Sequence, residues 1–204
     1  MIKAVIFDLN GVFIKSPFLS DRFRDTFNVP SEESTAALKE IMDKVRKPNA
    51  GDTFQYWKPY LDKWKISLTK EQFFDFWFSA EKEVPEMINI AQELKDRSIR
   101  RFVLSNNFVE RSKYYKQNFS FLDKLFERVY YSWETGFVKP NKAAFEKVLS
   151  DNGLKAEECI YVDNQQNNID TAKSLGMEAI LFDDFKNLEK KLSALTQLKL
   201  RHHA

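Results

Sequence analysis

Short apolar runs alternate with longer amphipathic stretches along this chain, and that alternation constrains the fold more than any other feature. The apolar runs are rich in β-branched and aromatic residues, which is typical of strands buried on both faces. They are Ala4 to Leu9, Phe102 to Leu104, Val129 to Ser132, Ile160 to Val162 and Ala179 to Phe182. The amphipathic stretches are Pro85 to Arg97, Val109 to Asn118, Lys142 to Leu149 and Asn168 to Leu175. The pattern predicts an α/β fold with a doubly wound parallel, Rossmann-like sheet.

Residues 16–84 break the alternation and predict helices only. Ser31 is a candidate N-cap for one helix, and Thr69 with Gln72 predicts a capping box at the start of another. We therefore expect two units. One is an α/β core formed by residues 1–15 and 85–204, and the other is an inserted all-helical subdomain, residues 16–84.

The inserted segment is dense in aromatic residues, with three of the four tryptophans of the chain. A small helical bundle needs bulky side chains to build a core, so packing is the expected role of most of them. Phe74 and Phe78 are one turn apart on a different helix face from Phe76. We therefore expect this pair to line a pocket.

Composition excludes several classes of function. Net charge is only +2, with no basic field, so a nucleic-acid partner is not expected. The single cysteine, Cys159, lies in an apolar run and cannot form a disulfide framework. The first strand starts at once, which leaves no room for a signal peptide, and no apolar run reaches membrane-spanning length. We expect a cytoplasmic protein without a membrane partner, and nothing in the sequence indicates its oligomeric state.

The glycines exclude two phosphate-binding loops. The chain has five, and no two are close enough for the dinucleotide-binding G-x-G-x-x-G pattern or a P-loop. Asp8, Ser105 and Asp163 instead fall at the carboxyl ends of three of the predicted strands. Ligands of a doubly wound sheet bind beyond the carboxyl ends of its strands. We therefore expect these three residues to meet at one edge.

Four segments in a fixed order carry a family resemblance: VIFDLNGV, FVLSNN, TGFVKPNKAAF and YVDNQQNN. The chain resembles the haloacid dehalogenase-like (HAD) hydrolase superfamily, in the subfamily with a small helical cap after the first strand. The resemblance implies that Asp8 is the nucleophile and Lys139 neutralises charge beside it. It also implies that Ser105 and Asn106 bind the phosphate of a small phosphorylated metabolite.

The same resemblance implies a magnesium cofactor. Its ligands would be Asp8, the backbone carbonyl of Asn10, Asp163 and Asn164. Asn168 and Asp170 are candidates for supporting bonds to Lys139 or to metal-bound water. A structural alternative is that Ser105, Asn106 and Asn107 simply cap the next helix.

Two departures from the family pattern leave the activity open. Asn10 stands where the phosphatases have a second catalytic Asp, and an amide cannot transfer a catalytic proton. Asn164 replaces a carboxylate ligand, which predicts weaker magnesium binding. The favoured reading is a magnesium-dependent phosphohydrolase working through an aspartyl-phosphate and suited to good leaving groups. The alternatives are a catalytically silent phosphate-binding or regulatory protein and a metal-free dehalogenase-like hydrolase.

Overall fold

The computed structural model describes residues 1–197, so residues 198–204 of the predicted core lie outside it. Strands of the described part are β1 (Ala4–Phe7), β2 (Ile14–Lys15), β3 (Lys82–Glu83), β4 (Arg100–Ser105), β5 (Arg128–Tyr131), β6 (Cys159–Asp163) and β7 (Glu178–Leu181). The α-helices are α1 (Leu19–Phe27), α2 (Ser31–Val45), α3 (Thr53–Lys63), α4 (Lys70–Phe78), α5 (Pro85–Asp96), α6 (Val109–Asn118), α7 (Phe121–Leu125), α8 (Ser132–Thr135), α9 (Lys142–Asn152), α10 (Gln166–Ser174) and α11 (Phe185–Thr196).

The central sheet is five-stranded and parallel, in the order β5-β4-β1-β6-β7. The chain starts in the middle strand and passes to either side of it, which is the doubly wound arrangement expected from the sequence. Every residue of β1 is fully buried. This explains why β1 is a continuous apolar run rather than an alternating one.

Helices cover both faces of the sheet. Helices α5 and α11 pack on one face, against Val5, Phe7 and Val162. Helices α9 and α10 pack on the other face, against Ile6 and Tyr161. Because helices cover both faces of the sheet, the accessible place for a ligand is the edge where the strands end.

Helices α1 to α4, between β2 and β3, form most of a second apolar cluster, which Phe108 of the core also joins. Trp57 and Phe73 are fully buried at its centre, with their ring centroids 5.3 Å apart. The aromatics of this segment therefore pack as predicted. Strands β2 and β3 pair antiparallel, so the chain enters and leaves the helical insertion side by side.

Local signals fixed some helix ends and missed others. The capping box of Thr69 and Gln72 is present at the start of α4. Ser31 is the first residue of α2 and Pro30 is the N-cap, so the predicted cap was wrong by one residue. Pro140 lies before the N-cap of α9, Asn141, whose side chain accepts from the Ala143 amide. A proline there blocks extension of the helix toward its N-terminus.

Phe74 and Phe78 do not line the cavity beside Asn10 and Asn164, and their contacts are with other aromatic rings. They stack on each other at 5.3 Å, and Phe78 packs against Phe108 and Tyr114. These contacts join the helical insertion to α6, so the pair belongs to an internal interface. Trp77, on the same helix, lines that cavity.

Within residues 1–197, no helix combines the length and the apolar character needed to cross a membrane.

Candidate active site

Lys139 joins two carboxylates that the sequence places far apart. Its Nζ donates to Asp8 Oδ1 at 2.7 Å and to Asp163 Oδ2 at 2.9 Å. Asp8 follows β1 and Asp163 ends β6, two neighbouring strands of the sheet. All three side chains are almost completely buried. The carboxyl ends of the strands therefore meet as expected, around one ammonium group.

Asp163 is held from several directions. Its Oδ2 also accepts from Asn168 Nδ2 at 2.9 Å and from the Tyr161 hydroxyl, while its Oδ1 accepts from the Gln165 amide at 2.8 Å. Both oxygens thus have partners within the protein. Asp163 fixes the position of Lys139, and Asn168 supports Lys139 through Asp163 rather than directly. Asp170 is exposed and accepts from Gln166, away from this network.

Asp8 is less fully satisfied than Asp163. Burial raises the pKa of the Asp8 carboxyl, the charge on Asp163 raises it further, and Lys139 opposes both. Two carboxylates face one ammonium, so one negative charge stays uncompensated when all three groups are ionised. The arrangement favours arrival of a cation beside Asp8.

The side chain of Asn106 forms two hydrogen bonds with the backbone of Lys139. Its Oδ1 accepts from the Lys139 amide and its Nδ2 donates to the Lys139 carbonyl, both at 2.8 Å. Because the side chain is committed to Lys139, only the backbone amide of Asn106 is free to face a ligand. Ser105 is buried, and its hydroxyl lies 3.5 Å from Asn10 Oδ1.

The helix-capping alternative for this segment is not what the structure shows. Phe108 is the N-cap of α6, and no side chain caps that helix. Asn107 accepts from the Phe108 amide, and its own amide donates to Ser132. The Asn106 side chain and the Asn107 backbone instead connect the loop after β4 to Lys139 and Ser132.

The side-chain amide of Asn10 forms a hydrogen bond with a tyrosine. Its Nδ2 donates to the Tyr115 hydroxyl at 2.6 Å, which turns Oδ1 toward Ser105. Burial raises the pKa of Tyr115 well above its usual value, and the charge on Glu81 adds to this while Arg111 opposes it. The tyrosine is therefore neutral at any ordinary pH and cannot take up a proton.

Asn164 lies over Gly11. A Cβ added to Gly11 would stand 2.1 Å from Asn164 Nδ2, and Gly11 has a φ of +89°. Any side chain at position 11 would be strained and would collide with that amide. Gly11 thus lets Asn164 sit close to the backbone beside Asn10.

A sequence model of the haloacid dehalogenase-like hydrolase family matches residues 2–176, most of the chain. This chain belongs to that family. The match confirms the family and the hydrolase class predicted from the four segments. The described site carries the residues that the resemblance selected.

Several known proteins are similar to this chain in sequence. Acyl-CoA dehydrogenase family member 10 of Mus musculus is 27% identical over 211 residues, which is 95% of this chain but 19% of that protein. The chain spans less than half the length of several relatives of this kind. A glyceraldehyde 3-phosphate phosphatase of Methanothermobacter thermautotrophicus is 28% identical, covering 89% of this chain and 85% of that one.

A solved structure shares the fold. The HAD family enzyme BT-2542 of Bacteroides thetaiotaomicron, in complex with magnesium and inorganic phosphate, superposes with a TM-score of 0.78. The two chains are 21% identical, and the match covers 92% of this chain and 99% of that one. This confirms the α/β architecture of the hydrolase described here.

The groups near Asp8 that could bind a metal ion offer oxygen atoms of mixed kind. Within residues 1–197, no group of three or more His, Cys, Asp or Glu side chains is arranged to hold an ion. A cation beside Asp8 would have to use that carboxylate together with the Asn10 carbonyl and the Asn164 amide. Hard oxygen donors of this type suit a small divalent cation that keeps water and substrate ligands.

Sequence reasoning missed four residues around this centre. Tyr161 donates to Asp163 and lies 3.0 Å from Lys139 Nζ, while Tyr115 holds Asn10. Arg111 pairs with the buried Glu81 at 2.5 Å. Tyr161 had a usable signal, because it lies two residues before Asp163 on the same strand face. The other three gave no such signal, because Tyr115 meets Asn10, and Arg111 meets Glu81, only through tertiary contacts of α6.

Proposed function

We propose that this hydrolase is a magnesium-dependent phosphohydrolase that acts on a small phosphorylated metabolite through an aspartyl-phosphate on Asp8. One observation carries the proposal, the bridge from Lys139 to both Asp8 and Asp163 at the carboxyl edge of the sheet. The bridge places a fixed positive charge beside the nucleophile, where an anionic substrate would otherwise be repelled.

The two carboxylate oxygens of Asp8 have different roles in this scheme. Lys139 binds Oδ1, so Oδ2 is the oxygen we assign to attack on phosphorus. The Ser105 hydroxyl and the backbone amide of Asn106 would donate to the phosphoryl oxygens as their charge grows. As Asp8 Oδ2 bonds to phosphorus the ester bond breaks, and the leaving group departs as an oxyanion that takes its proton from solvent; water then hydrolyses the aspartyl-phosphate to free Asp8 and inorganic phosphate.

Magnesium, bound by Asp8, the Asn10 carbonyl, Asn164 and, as the resemblance implies, Asp163, would supply the positive charge that Lys139 alone does not provide. Asp163 already accepts hydrogen bonds on both oxygens, so its main role in our proposal is to hold Lys139 in place. A site with few carboxylates binds magnesium weakly, and phosphate oxygens of the substrate would complete the shell.

The proton for the leaving group is the weak point of the site. Asn10 cannot donate one to an oxygen and recover it, and Tyr115 beside it holds its proton tightly. We therefore expect good leaving groups, such as aryl or acyl phosphates, to react much faster than alkyl phosphates.

We also propose that residues 16–84 act as a cap over this edge, with residues 1–15 and 85–204 as the catalytic core. Support comes from the antiparallel β2-β3 pair, which places both connections of the insertion together at its boundary. The separate apolar cluster of α1 to α4 supports the same division.

A phosphate-release screen tests the function. Sugar, nucleotide, aryl and acyl phosphates are assayed with magnesium and with EDTA, and halide release from 2-haloacids is measured in parallel. We expect magnesium-dependent release from the aryl or acyl class, lost in Asp8→Asn. Halide release without metal would support the dehalogenase alternative. Phosphate binding by calorimetry without any turnover would support the silent alternative.

A further inference from the structure

A cavity of about 650 Å³ lies between the helical insertion and the carboxyl edge of the sheet. Asn10, Gly11 and Asn164 line it on the sheet side, and residues of α2 line it on the insertion side. Its volume is that of a site for a small organic molecule rather than for inorganic phosphate alone. The part of a substrate that is not transferred would occupy this space.

The lining of the cavity is strongly basic. Lys15, Lys39, Arg46 and Arg111 contribute four positive charges, against the single carboxylate of Asp43. Arg111 is already neutralised, because its Nη2 lies 2.5 Å from the buried Glu81. The two lysines are exposed and free to remain solvated. Arg46 is half-buried and forms no ion pair within residues 1–197.

Arg46 directly follows α2 and points its head group into the cavity. Its Nε is shielded from solvent and has no hydrogen-bond partner in residues 1–197. No carboxylate of that part of the chain forms an ion pair with it. Burial lowers the pKa of Arg46, and the neighbouring charge of Arg111 lowers it further, while Asp43 and Asp8 oppose this. A partly buried cation is stabilised by a paired anion, and residues 1–197 supply none to Arg46.

Favourable placement at a helix C-terminus explains part of the position of Arg46. It does not explain a shielded, unpartnered donor that faces a cavity beside the nucleophile. The transferred phosphoryl group already has Lys139, Ser105 and the expected cation to receive it. A second anion, carried on the other end of the substrate, would supply the ion-pair partner that Arg46 lacks.

We propose that Arg46 binds a second anionic group, a carboxylate or phosphate on the leaving group, so that the substrate is a phosphate ester with two separated anionic ends. The inference rests on the proposed phosphohydrolase function and names its substrate class. Leu38, Met42 and Trp77 supply apolar walls for the skeleton between the two ends.

Three aryl esters of similar size test the proposal with the full-length protein and magnesium. They are 3-carboxyphenyl phosphate, 3-carbamoylphenyl phosphate and 1,3-phenylene bisphosphate. We expect kcat/KM for the carboxylate or the bisphosphate to exceed that for the carboxamide about tenfold or more, as one charge-assisted bond provides. Which of the two anionic esters is preferred identifies the second group.

Arg46→Met keeps the aliphatic stem and should abolish that preference. Arg22→Met is the matched control, because Arg22 also has an unpartnered Nε but stacks on Phe76 at 4.7 Å and does not line the cavity. The control should keep the wild-type preference. If Arg46→Met slows all three esters equally, Arg46 contacts the transferred phosphoryl group and the proposal is wrong.

Calorimetric binding of the same esters separates this inference from the proposed function. Tighter binding of the anionic esters than of the carboxamide, lost in Arg46→Met, supports the second-anion site even if no ester is hydrolysed. Equal affinity for all three, or no binding of any, overturns the inference whether or not other phosphate esters are substrates.

Discussion

The side-chain amide of Asn106 and the backbone of Lys139 hold each other through two hydrogen bonds of 2.8 Å, one in each direction. The loop after β4 thereby sets the position of a lysine that lies 33 residues further along the chain. Lys139 Nζ must meet Asp8 and Asp163 together, so a small shift of its backbone would spoil both contacts.

Asn106→Ala should therefore lower kcat for phosphate release by roughly 10- to 100-fold, because a displaced charge no longer faces the nucleophile. Asn118→Ala is the matched control, since Asn118 also donates its amide to a backbone carbonyl, that of Tyr114, at 2.9 Å on an exposed helix. Steady-state kinetics on an aryl phosphate measures the effect. Equal kcat in both variants would show that Lys139 needs no support from Asn106.

The two carboxylates around Lys139 should differ in what they contribute to stability. Asp163 accepts hydrogen bonds on both oxygens, so Asp163→Asn should cost about 3 kcal/mol and lower Tm by roughly 5–10 °C. Asp8 is buried with a raised pKa, so its charge is unfavourable in the fold. Asp8→Asn should abolish phosphate release with no loss of Tm in EDTA.

Differential scanning calorimetry decides this comparison, with circular dichroism to check that both variants fold. The side chain of Asp8 is only 7% exposed, so its carboxylate is a buried group. A fall in Tm for Asp8→Asn as large as that for Asp163→Asn would mean that the Asp8–Lys139 pair stabilises the protein.

Elements whose signal is local were predictable from the sequence. The apolar runs gave all five strands of the parallel sheet, and α6 was predicted with its observed bounds, Val109–Asn118. Strands β2 and β3 were missed, since a pair of two-residue strands has no periodicity to read. Helices α7 and α8 are five and four residues long and were missed for the same reason.

The residues of the candidate site also divide into those with a local sequence signal and those without one. Asp8, Ser105 and Asp163 were found because they end buried strands, which is visible in sequence. Arg46 and Tyr115 were not, because their roles depend on tertiary contacts: Arg46 lines a cavity between the insertion and the sheet edge, and Tyr115 on α6 meets Asn10 after β1. Phe74 and Phe78 were assigned to a pocket for want of that same contact.

Magnesium affinity should rise in Asn164→Asp, roughly tenfold, because a carboxylate would replace an amide oxygen beside Asp8. Isothermal titration with magnesium alone measures it. Asn167→Asp is the matched control, since it adds the same charge nearby on an exposed residue that does not line the cavity. A similar gain in both variants would indicate a general charge effect and would remove Asn164 from the ligand set.

Cys159 should be inert in the folded protein. Burial raises the pKa of its thiol from 9.0 to about 12. The native protein should not react with a thiol reagent at pH 8, and one thiol should react after unfolding in urea. Because the folded-state pKa is the higher one, the unfolded state ionises first, and stability falls as pH rises above 9. Between pH 8 and 10 the wild type should lose about 1 kcal/mol relative to Cys159→Ala, measured by urea unfolding.

The remaining prediction concerns the missing acid. Asn10→Asp should raise turnover of alkyl phosphates by on the order of 10² or more, since their leaving groups need a proton, and should raise that of aryl phosphates far less. The Tyr115 hydroxyl now accepts from Asn10 at 2.6 Å and would have to donate to an Asp instead. That hydrogen bond would stabilise the ionised form of the new carboxylate and reduce the gain in turnover of alkyl phosphates. Asn10→Asp combined with Tyr115→Phe removes this donor, so it should exceed Asn10→Asp alone on alkyl phosphates, with Tyr115→Phe in the wild-type background as the control. Kinetics on a matched alkyl and aryl pair gives the answer. Equal gains on both esters, or none, would show that position 10 does not limit the reaction.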